Sequence, residues 1–505
     1  MNQTERLHIQ YPALRKLAPF DNALAATPWL ADADARHQRK ICPSLAQAIE
    51  RCGLQNGMTI SFHHAFREGD QVINLVVATL ARMGLRDLTL ASSSLMTCND
   101  ALIEHIRNGV IRRIYTSGMR GKLADAISRG LMDEPVQIHS HGGRVKLIQD
   151  GELNIDVAFL GVPCSDEFGN ANGTHGASCC GSLGYAMVDA RYARNVVLLT
   201  ESLVPFPNMP ASIVQDQVDY IVPVDRVGDP EKISVGAARV TSNPRELMIA
   251  RNAAEVIEHS GYFRDGFSMQ TGSGAASTAC TRFLGKKMAR EGIHARFALG
   301  GITASLVELH EQGLIHTLLD TQCFDSQAAA SLARNPQHVE ISTNVYANPA
   351  SKAACCDQLD VVILSALEID TDFNVNVITG SDGVMRGASG GHCDVAAAAN
   401  LTIVVAPLLR SRIPTVVRRV TTCVTPGSCI DVLVTDHGIA VNPARPEIRE
   451  RLENAGLPVM DIEMLWQRAI SLTGTPKAIE FTDKIVGVIR YRDGSVIDVV
   501  YQGKE

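Results

Sequence analysis

Asp156-Val-Ala-Phe-Leu-Gly161 and Asp360-Val-Val-Ile-Leu-Ser365 are two apolar runs of the kind that form buried strands. A polar stretch follows each run, with one aspartate and two asparagines: Asp166, Asn170 and Asn172 in the first copy, and Asp370, Asn374 and Asn376 in the second. The copies are offset by 204 residues, since 360 minus 156 and 370 minus 166 give the same number. A fixed offset over both strand and loop indicates an internal duplication.

The stretch upstream of each copy repeats as well. Both halves read strand, loop, helix and strand: residues 58–62, 63–69, 72–83 and 88–90 in the first half, and 267–269, 272–274, 275–290 and 296–299 in the second. Alternating strands and helices are typical of open α/β sheets. The sequence therefore predicts two similar α/β domains, with equivalent loops at corresponding sheet edges.

Prolines and glycines suggest the domain boundaries. Residues 1–45 carry scattered prolines and charges and are interpreted as an N-terminal arm, followed by a first domain at 46–225, a linker at 226–245 and a second domain at 246–505. Asn243 before Pro244 is a good cap and first residue for a helix that opens the second domain. Two β-like runs around Arg492-Asp-Gly494 predict a C-terminal β-hairpin that closes it.

Composition limits the class of function. The chain has 505 residues, 46% hydrophobic, and a net charge of −7 with a pI near 6.1, which gives no general attraction to nucleic acid or to an anionic membrane. No apolar run approaches the ~18 residues of a membrane span, and the polar opening Met1-Asn-Gln-Thr-Glu-Arg6 lacks the order of a signal peptide. We expect a cytoplasmic protein. The thirteen cysteines show no Cys-x-x-Cys spacing, so we expect reduced thiols and no metal site.

A glycine-dense stretch, Gly387-Ala-Ser-Gly-Gly-His-Cys-Asp394, lies between two apolar runs. Glycines let backbone N–H groups approach a ligand closely, which is how a protein without a metal holds an oxyanion. The alternative is a run of tight turns with no chemical role, in which Asp394 merely caps the helical residues that follow. On the chemical interpretation, Asp394 orients the imidazole of His392.

These motifs together resemble one family. The paired halves, the element from Asp166 to Asn170, the segment Ser389-Gly-Gly-His-Cys-Asp394 and the strand with Thr435-Asp-His-Gly-Ile439 resemble the coenzyme A transferase superfamily. Within it, nearly the whole chain is similar to the alpha chains of citrate lyase, including Thr421-Thr-Cys-Val-Thr-Pro-Gly427. The resemblance implies two coenzyme A transferase-type open α/β domains.

The resemblance also implies an activity and partners. Citrate would replace acetate on the thioester of a small acyl carrier protein, leaving a citryl thioester for a lyase subunit. The expected partners are therefore the beta (lyase) and gamma (acyl carrier protein) subunits, together with citrate, acetate and acetyl-coenzyme A. We also expect a homo-oligomer. The acyl thioester of coenzyme A or of the carrier's prosthetic group is a substrate, and no tightly bound cofactor is expected.

The exchange needs groups that hold a weak carboxylate nucleophile in line and stabilise an oxyanion. The candidate catalytic residues are Gly300, Gly301, Gly390, Gly391, His392 and Asp394. Citrate carries three carboxylates and calls for cations and polar side chains. The candidate substrate-binding residues are His63, His64, Arg67, Arg120, Asn374, Arg386 and Ser389. From the two sets, His392 or Asn374 is a possible side-chain donor to the oxyanion.

One departure from the superfamily bears on the mechanism. Many coenzyme A transferases form a covalent intermediate on a glutamate after a second-domain strand, in a Glu-Asn-Gly turn. The equivalent segment here reads Phe297-Ala-Leu-Gly-Gly-Ile302, with Leu299 where the glutamate would fall. We therefore expect a ternary complex and a mixed anhydride, with a displaced Glu308 or Glu368 as the covalent alternative.

Two other classes stay open at this point. A nicotinamide dehydrogenase is also built from strand, glycine loop and helix, but Gly272-Ser-Gly274-Ala-Ala-Ser277 lacks the third glycine or alanine of the dinucleotide motif. A non-catalytic metabolite-binding protein could use the same architecture. It would normally carry a DNA-binding module, and residues 1–45 show no helix-turn-helix pattern.

Overall fold

The structure, a computed structural model, describes residues 2–19, 40–233 and 241–504. The strands are β1 Thr59–Phe62, β2 Leu88–Ser92, β3 Ile111–Thr116, β4 Val136–Ile138, β5 Val157–Val162, β6 Cys164–Asp166, β7 Ala171–Asn172, β8 Asn195–Thr200, β9 Leu203–Val204, β10 Tyr220–Pro223, β11 Phe267–Thr271, β12 Ala295–Ile302, β13 Ile315–Cys323, β14 His338–Glu340, β15 Val361–Ser365, β16 Glu368–Asp370, β17 Val375–Asn376, β18 Leu401–Val405, β19 Leu409–Arg410, β20 Ile413–Pro414, β21 Val416–Val417, β22 Val432–Val434, β23 Ile439–Val441, β24 Val459–Met460, β25 Phe481–Arg490 and β26 Val496–Gly503.

The described α-helices are α1 Gln3–Gln10, α2 Leu45–Cys52, α3 Val72–Arg82, α4 Leu102–Arg107, α5 Gly121–Ser128, α6 His141–Gln149, α7 Gly184–Tyr192, α8 Pro230–Ile233, α9 Pro244–His259, α10 Ala275–Glu291, α11 Ala304–Glu311, α12 Ser326–Arg334, α13 Thr343–Ala347, α14 His392–Ala398, α15 Pro446–Asn454 and α16 Ile462–Thr473. Helix α9 begins as the sequence predicted. Pro244 is its first residue, and the Asn243 side chain accepts the N–H of Arg245 at 2.9 Å.

Two nine-stranded sheets form the body of the molecule, and seven of their strands correspond. The first sheet has the order β10-β8-β5-β1-β2-β3-β4-β25-β26, and the second has the order β14-β13-β12-β11-β15-β18-β22-β23-β24. In the first sheet, β1 to β4 follow one another in chain order toward one edge, and β5, β8 and β10 follow one another toward the opposite edge. In the second sheet, β11 to β14 and then β15, β18 and β22 are arranged in the same way. The seven corresponding strands of each sheet pair in parallel. The prediction of two similar α/β domains is confirmed.

The aspartate and asparagine repeat forms the same small structure in both domains. Asp166 accepts the backbone N–H of Asn170 at 3.0 Å and its side-chain amide at 2.8 Å. Asp370 accepts the corresponding two groups of Asn374 at 2.9 and 3.2 Å. The loops join β6 to β7 and β16 to β17, each in a three-stranded sheet. The repeat that reveals the duplication is therefore a turn that fixes these loops.

The C-terminal hairpin lies in a different place from the one that the sequence suggested. Strands β25 and β26 pair antiparallel, as predicted, but β25 also pairs parallel with β4 and so extends the first sheet. The hairpin therefore does not close the second domain. Parts of the predicted N-terminal arm and of the predicted linker, namely residues 1, 20–39 and 234–240, lie outside the described residues.

The glycine-dense segment joins the two domains. The backbone N–H of Ser389 donates to Ser117 at 2.7 Å, and that of His141 donates to Gly390 at 2.8 Å. Gly118 lies against Ala388 so closely that a Cβ atom on Gly118 would overlap the backbone of Ala388. This contact brings the carboxyl ends of strands from both sheets together around one cavity. Within the described part of the chain, no helix combines the length and apolarity that crossing a membrane requires.

Candidate active site

A cavity of about 240 Å³ lies between the two domains. From the first domain it is lined by His64, Arg67, Ser117, Arg120, His141 and Tyr185, among others. From the second domain its lining includes residues 270–274, Gly301, Gln322, Phe324 and residues 388–392. A cleft at the carboxyl ends of strands and between domains is where α/β proteins usually bind small molecules.

Three rings form the first-domain wall. The ring of Tyr185 lies 4.7 Å from those of both His64 and His141, measured between centroids. His64 is fixed by a 2.6 Å hydrogen bond between its Nδ1 and the hydroxyl of Ser93. Burial lowers the pKa of His64 well below its usual value and that of His141 to about 3. Both imidazoles are therefore neutral at pH 7.

Arg67 is a buried cation in this wall. Only 8% of it is exposed, and its guanidinium lies 5.0 Å from the ring centroid of Phe324 in the second domain. Its backbone has a φ of +53°, a conformation that costs energy for a residue with a side chain. Burial lowers the pKa of Arg67 to about 10, so the group keeps its charge at neutral pH. Arg120 lines the same cavity and is exposed.

The glycine-dense loop contributes backbone donors. Gly390 and Gly391 both line the cavity, and among the described residues neither backbone N–H has a hydrogen-bond partner. Gly390 has a φ of +55°, and a Cβ atom on Gly391 would overlap the hydroxyl of Tyr346. Glycine is thus required by conformation at one position and by close packing at the other. The result is a pair of unpaired N–H groups at the cavity, and their role as an oxyanion site stays a prediction.

The second predicted glycine pair has a different role. Gly301 lines the cavity, but a Cβ atom there would overlap the ring of Phe324, which stacks on Arg67. Gly300 has a φ of +102° and packs against the side-chain amide of Gln270. The pair therefore makes room for Phe324 and Gln270, two side chains of the cavity wall that the sequence analysis did not identify.

A further element was missed. Residues Gly272 to Gly274 line the cavity and lead directly into α10, whose N-cap is Gly274. The first N–H groups of a helix are unpaired and carry partial positive charge, so a helix N-terminus attracts anions. The signal was present in the sequence as strand, Gly-Ser-Gly and helix, but was weighed only as a dinucleotide motif.

Buried polar atoms without partners collect in this cavity. Five side chains that line it each have one such atom: Arg67 Nε, His141 Nδ1, Gln270 Oε1, Thr271 Oγ1 and Ser389 Oγ. An unpaired buried polar atom costs roughly 1–3 kcal/mol, and a ligand that pairs with it recovers that cost. Among the residues described as lining the cavity, none is an aspartate or glutamate. The arrangement suits a polar, anionic ligand.

His392 and Asp394 do not form the predicted pair. The Nδ1 of His392 accepts from the hydroxyl of Thr425 at 2.7 Å, and its Nε2 donates to the carbonyl of Ser365 at 3.1 Å. Both ring nitrogens are occupied, and burial lowers the pKa of His392 to about 4. Asp394 is fully buried and accepts instead from Ser140 and from Gly142. The prediction that Asp394 orients His392 is wrong.

Three predicted substrate-binding residues are absent from the described cavity lining. His63 is buried and donates from Nε2 to the carbonyl of Gly161 at 2.7 Å. The side chain of Asn374 is used within its own turn and accepts the N–H of Gly427 at 2.9 Å. Arg386 pairs with Asp382 at the surface of a separate cavity. Each was placed near the site by sequence proximity alone.

The position expected for a covalent glutamate holds no carboxylate. Leu299 is fully buried in the apolar core of the second domain. Glu308 lies on an exposed face of α11. Glu368 accepts from Asn376 and from Thr421, and it borders the separate cavity beside Arg386. Neither candidate for a displaced nucleophile is part of the described lining of the interdomain cavity.

Comparison with known proteins identifies the family. The profile of "Citrate lyase, alpha subunit (CitF)" matches residues 38–503. The chain is 68% identical over 498 residues to the citrate lyase alpha chain of Klebsiella pneumoniae, covering 99% of this chain and 98% of that one. It is 66% identical over 489 residues to the citrate lyase alpha chain of Escherichia coli K12, covering 97% and 95%. The chain belongs to the citrate lyase alpha subunit family.

Solved structures agree with this family. The alpha subunit of citrate lyase from Streptococcus mutans, in complex with citrate, superposes with a TM-score of 0.91 at 54% identity and covers 92% of both chains. A 4-hydroxybutyrate coenzyme A transferase from Porphyromonas gingivalis matches with a TM-score of 0.56 at 17% identity, covering 87% of this chain and 99% of that one. The second likeness concerns the fold alone, and it confirms the predicted coenzyme A transferase-type architecture.

Proposed function

We propose that this protein is the citrate:acyl-carrier-protein transferase of a citrate lyase. It exchanges acetate for citrate on a carrier thioester, so that acetyl carrier and citrate become citryl carrier and acetate. The observation that carries this proposal is the interdomain cavity. Its unpaired buried polar atoms come from both domains, its buried cation Arg67 comes from the first domain, and its described lining contains no carboxylate. A tricarboxylate fits such a surface because no like charge opposes it.

Two features of the cavity and one related structure support citrate as the bound anion. Arg67 and Arg120 supply positive charge, and Arg67 is buried, where an ion pair is screened least. The N-terminus of α10 adds partial positive charge from the opposite domain. The S. mutans relative was crystallised in complex with citrate, and this chain is 54% identical to it.

The geometry supports direct transfer between the two substrates. One carboxylate oxygen of citrate attacks the carbonyl carbon of the acetyl thioester, and the N–H groups of Gly390 and Gly391 stabilise the oxyanion that forms. The carbon–sulfur bond then breaks, which leaves a mixed citryl–acetyl anhydride and a thiolate. The thiolate attacks the citryl carbonyl, and acetate leaves with the electrons of the broken carbon–oxygen bond. No proton is gained or lost overall.

The protein acts within an assembly. As a member of an alpha subunit family, it is one chain of a multi-subunit citrate lyase. We infer that the gamma subunit, the acyl carrier protein, brings the thioester into the cavity and that the beta subunit cleaves the citryl product. Free acetyl-coenzyme A carries the same thioester and is proposed as a slower substitute. A homo-oligomeric state and a cytoplasmic location remain predictions from the sequence.

The test is acetyl-to-citryl exchange, assayed with carrier protein and with free coenzyme A thioester. We expect exchange with both thiols, saturation by citrate, and loss of activity in Arg67→Ala. The matched control is Arg386→Ala, because Arg386 is an arginine outside the described cavity lining. An enzyme that gives no exchange with either thiol, or one that loses activity equally in both variants, would contradict the proposal.

A further inference from the structure

Two carboxyl groups of the second domain each reach the start of a first-domain helix. Asp394 accepts from the hydroxyl of Ser140 at 2.7 Å and from the N–H of Gly142 at 2.9 Å, at the beginning of α6. Glu340 accepts from the N–H of Leu183 at 2.6 Å, immediately before α7, and from the hydroxyl of Ser212 at 2.7 Å. A carboxylate at a helix N-terminus pairs with N–H groups that the helix leaves free.

Both helices also have a glycine at this point. A Cβ atom on Gly142 would overlap the carbonyl of Ala347, and one on Gly184 would lie 2.6 Å from the carbonyl of Ile341. Ala347 and Ile341 belong to the second domain. Each helix start is therefore held by the same two devices, a carboxylate from the other domain and a glycine that permits close backbone approach. Two separate helices show the same construction.

The two helices form one unit with the cavity wall. Inside the first domain, Arg144 of α6 donates to both carboxylate oxygens of Asp189 of α7 at 2.5 and 2.9 Å, and both side chains are buried. His141 is the first residue of α6 and Tyr185 is the second residue of α7. Their rings lie 4.7 Å apart in the wall of the cavity. A shift at either helix start therefore moves a ring that faces the ligand.

We propose that Asp394 and Glu340 are positioning residues of the transferase, which hold His141 and Tyr185 at the citrate site by capping α6 and α7 from the opposite domain. Neither carboxyl group is part of the described cavity lining, so their effect passes through the helices. The inference rests on the proposed function, because it assigns the cavity to citrate. It adds that the first-domain wall is complete only when the second domain is in place.

A double-mutant cycle tests this coupling. Glu340→Ala is measured in the wild-type enzyme and in Tyr185→Ala, and Asp394→Ala is measured in the wild-type enzyme and in His141→Ala. We expect each carboxyl variant to lower kcat/KM for citrate roughly tenfold in the wild-type enzyme. In the background that lacks its ring, each should cost less than about twofold, because the group through which it acts is gone. Glu340→Gln and Asp394→Asn retain a side-chain acceptor and should restore most of the activity.

Asp431→Asn is the matched control. Asp431 is a buried carboxyl group that accepts the N–H of Thr402 at 2.7 Å and pairs with Arg445, entirely within the second domain. Its effect should be the same in the wild-type and Tyr185→Ala enzymes. If an alanine variant does not fold, Glu340→Asp, which shortens the side chain by one methylene group, takes its place in the cycle.

Citrate affinity, measured by calorimetry in every variant, separates the two proposals. A wild-type enzyme that binds citrate without exchanging it would count against the proposed function. The double-mutant cycle would then be evaluated from the citrate affinities of the variants. Effects of Glu340→Ala and Asp394→Ala that multiply with those of the ring variants, or folded carboxyl variants with unchanged citrate kinetics and affinity, would overturn the positioning role.

Discussion

The carboxylate of Asp394 in the second domain accepts a 2.7 Å hydrogen bond from the hydroxyl of Ser140, the N-cap of α6 in the first domain. Ser140 in turn accepts the N–H of Gly143 at 2.9 Å, as an N-cap residue does. The two side chains link the glycine-dense loop to a helix that lines the cavity. The interdomain geometry of the site thus depends on buried polar bonds between the domains.

The buried carboxyl group of Asp394 gives stability a defined pH dependence. Burial raises its pKa from 3.8 to about 6, and Arg492 Nε, 4.0 Å away, opposes that shift. The folded state therefore binds this proton more tightly than the unfolded chain, and lowering the pH from 7 to 4 stabilises the folded state through this group. As the pH falls from 7 to 4, we expect the free energy of unfolding of the wild type, relative to that of Asp394→Asn, to rise by about 2 kcal/mol. Urea denaturation at several pH values measures it; a constant or shrinking difference would contradict the assignment.

The cationic groups of the cavity predict a selective loss of citrate binding. Arg67→Lys keeps a charge but loses the planar guanidinium that stacks on Phe324, and Arg67→Ala loses both. We expect the KM for citrate to rise roughly tenfold or more in each, with the larger rise in Arg67→Ala. Arg386→Ala should leave the KM for citrate unchanged, because Arg386 pairs with Asp382 elsewhere. Steady-state exchange kinetics provide the measurement, and equal changes in KM for the two alanine variants would count against the site.

The histidines of the cavity are predicted to remain neutral. Burial lowers the pKa of His392 to about 4 and that of His141 to about 3, and it also lowers the pKa of His64. In proton NMR spectra, assigned by His392→Gln, His141→Gln and His64→Gln, the three ring C–H signals should not move between pH 6 and 8. A signal that titrates near the ordinary histidine pKa of about 6.5 would show that the corresponding ring is solvated and free to act as an acid.

Close packing between the domains predicts a steric effect at Gly118. A Cβ atom there would overlap Ala388, whereas the nearest atom to a Cβ on Gly503 would be 3.9 Å away. Gly118→Ala should therefore cost roughly 1–3 kcal/mol of stability and lower exchange activity, since it forces the 387–391 loop to move. Gly503→Ala is the control and should leave exchange activity unchanged. A Gly118→Ala enzyme with wild-type melting temperature and activity would show that this contact is not formed.

Much of the fold was readable from local pattern. Apolar runs marked β5 and β15, and Asn243 with Pro244 marked the start of α9, because strands and caps depend on neighbouring residues. The hairpin was recognised but assigned to the wrong domain. Its turn is local, whereas its pairing with β4 joins residues 351 positions apart in the chain (487 minus 136). No sequence pattern near the hairpin specifies that partner.

The candidate site could be predicted only in part from the sequence, because some of its contacts join residues that are distant in the chain. Gly390, Gly391 and Arg67 were predicted from glycine density and from a cation in a polar loop, which are local signals, and the structure places all three in the cavity lining. The partners of His392, which are Thr425 and Ser365, are distant in sequence, so a neighbouring Asp394 looked like its partner and is not. Tyr185 was missed because its sequence surroundings are those of an ordinary buried helix.

The central claim is that acyl transfer proceeds without an enzyme carboxylate, and intact-mass spectrometry after incubation with acetyl-coenzyme A, in the absence of citrate, tests it most directly. The described cavity lining offers no aspartate or glutamate, and the sequence resemblance places the buried Leu299 where the superfamily has its glutamate. The predicted result is an unchanged protein mass, with full activity after treatment with borohydride, which reduces enzyme thioesters. A coenzyme A adduct that peptide mapping places on Glu308, Glu368 or any other carboxylate would contradict direct transfer.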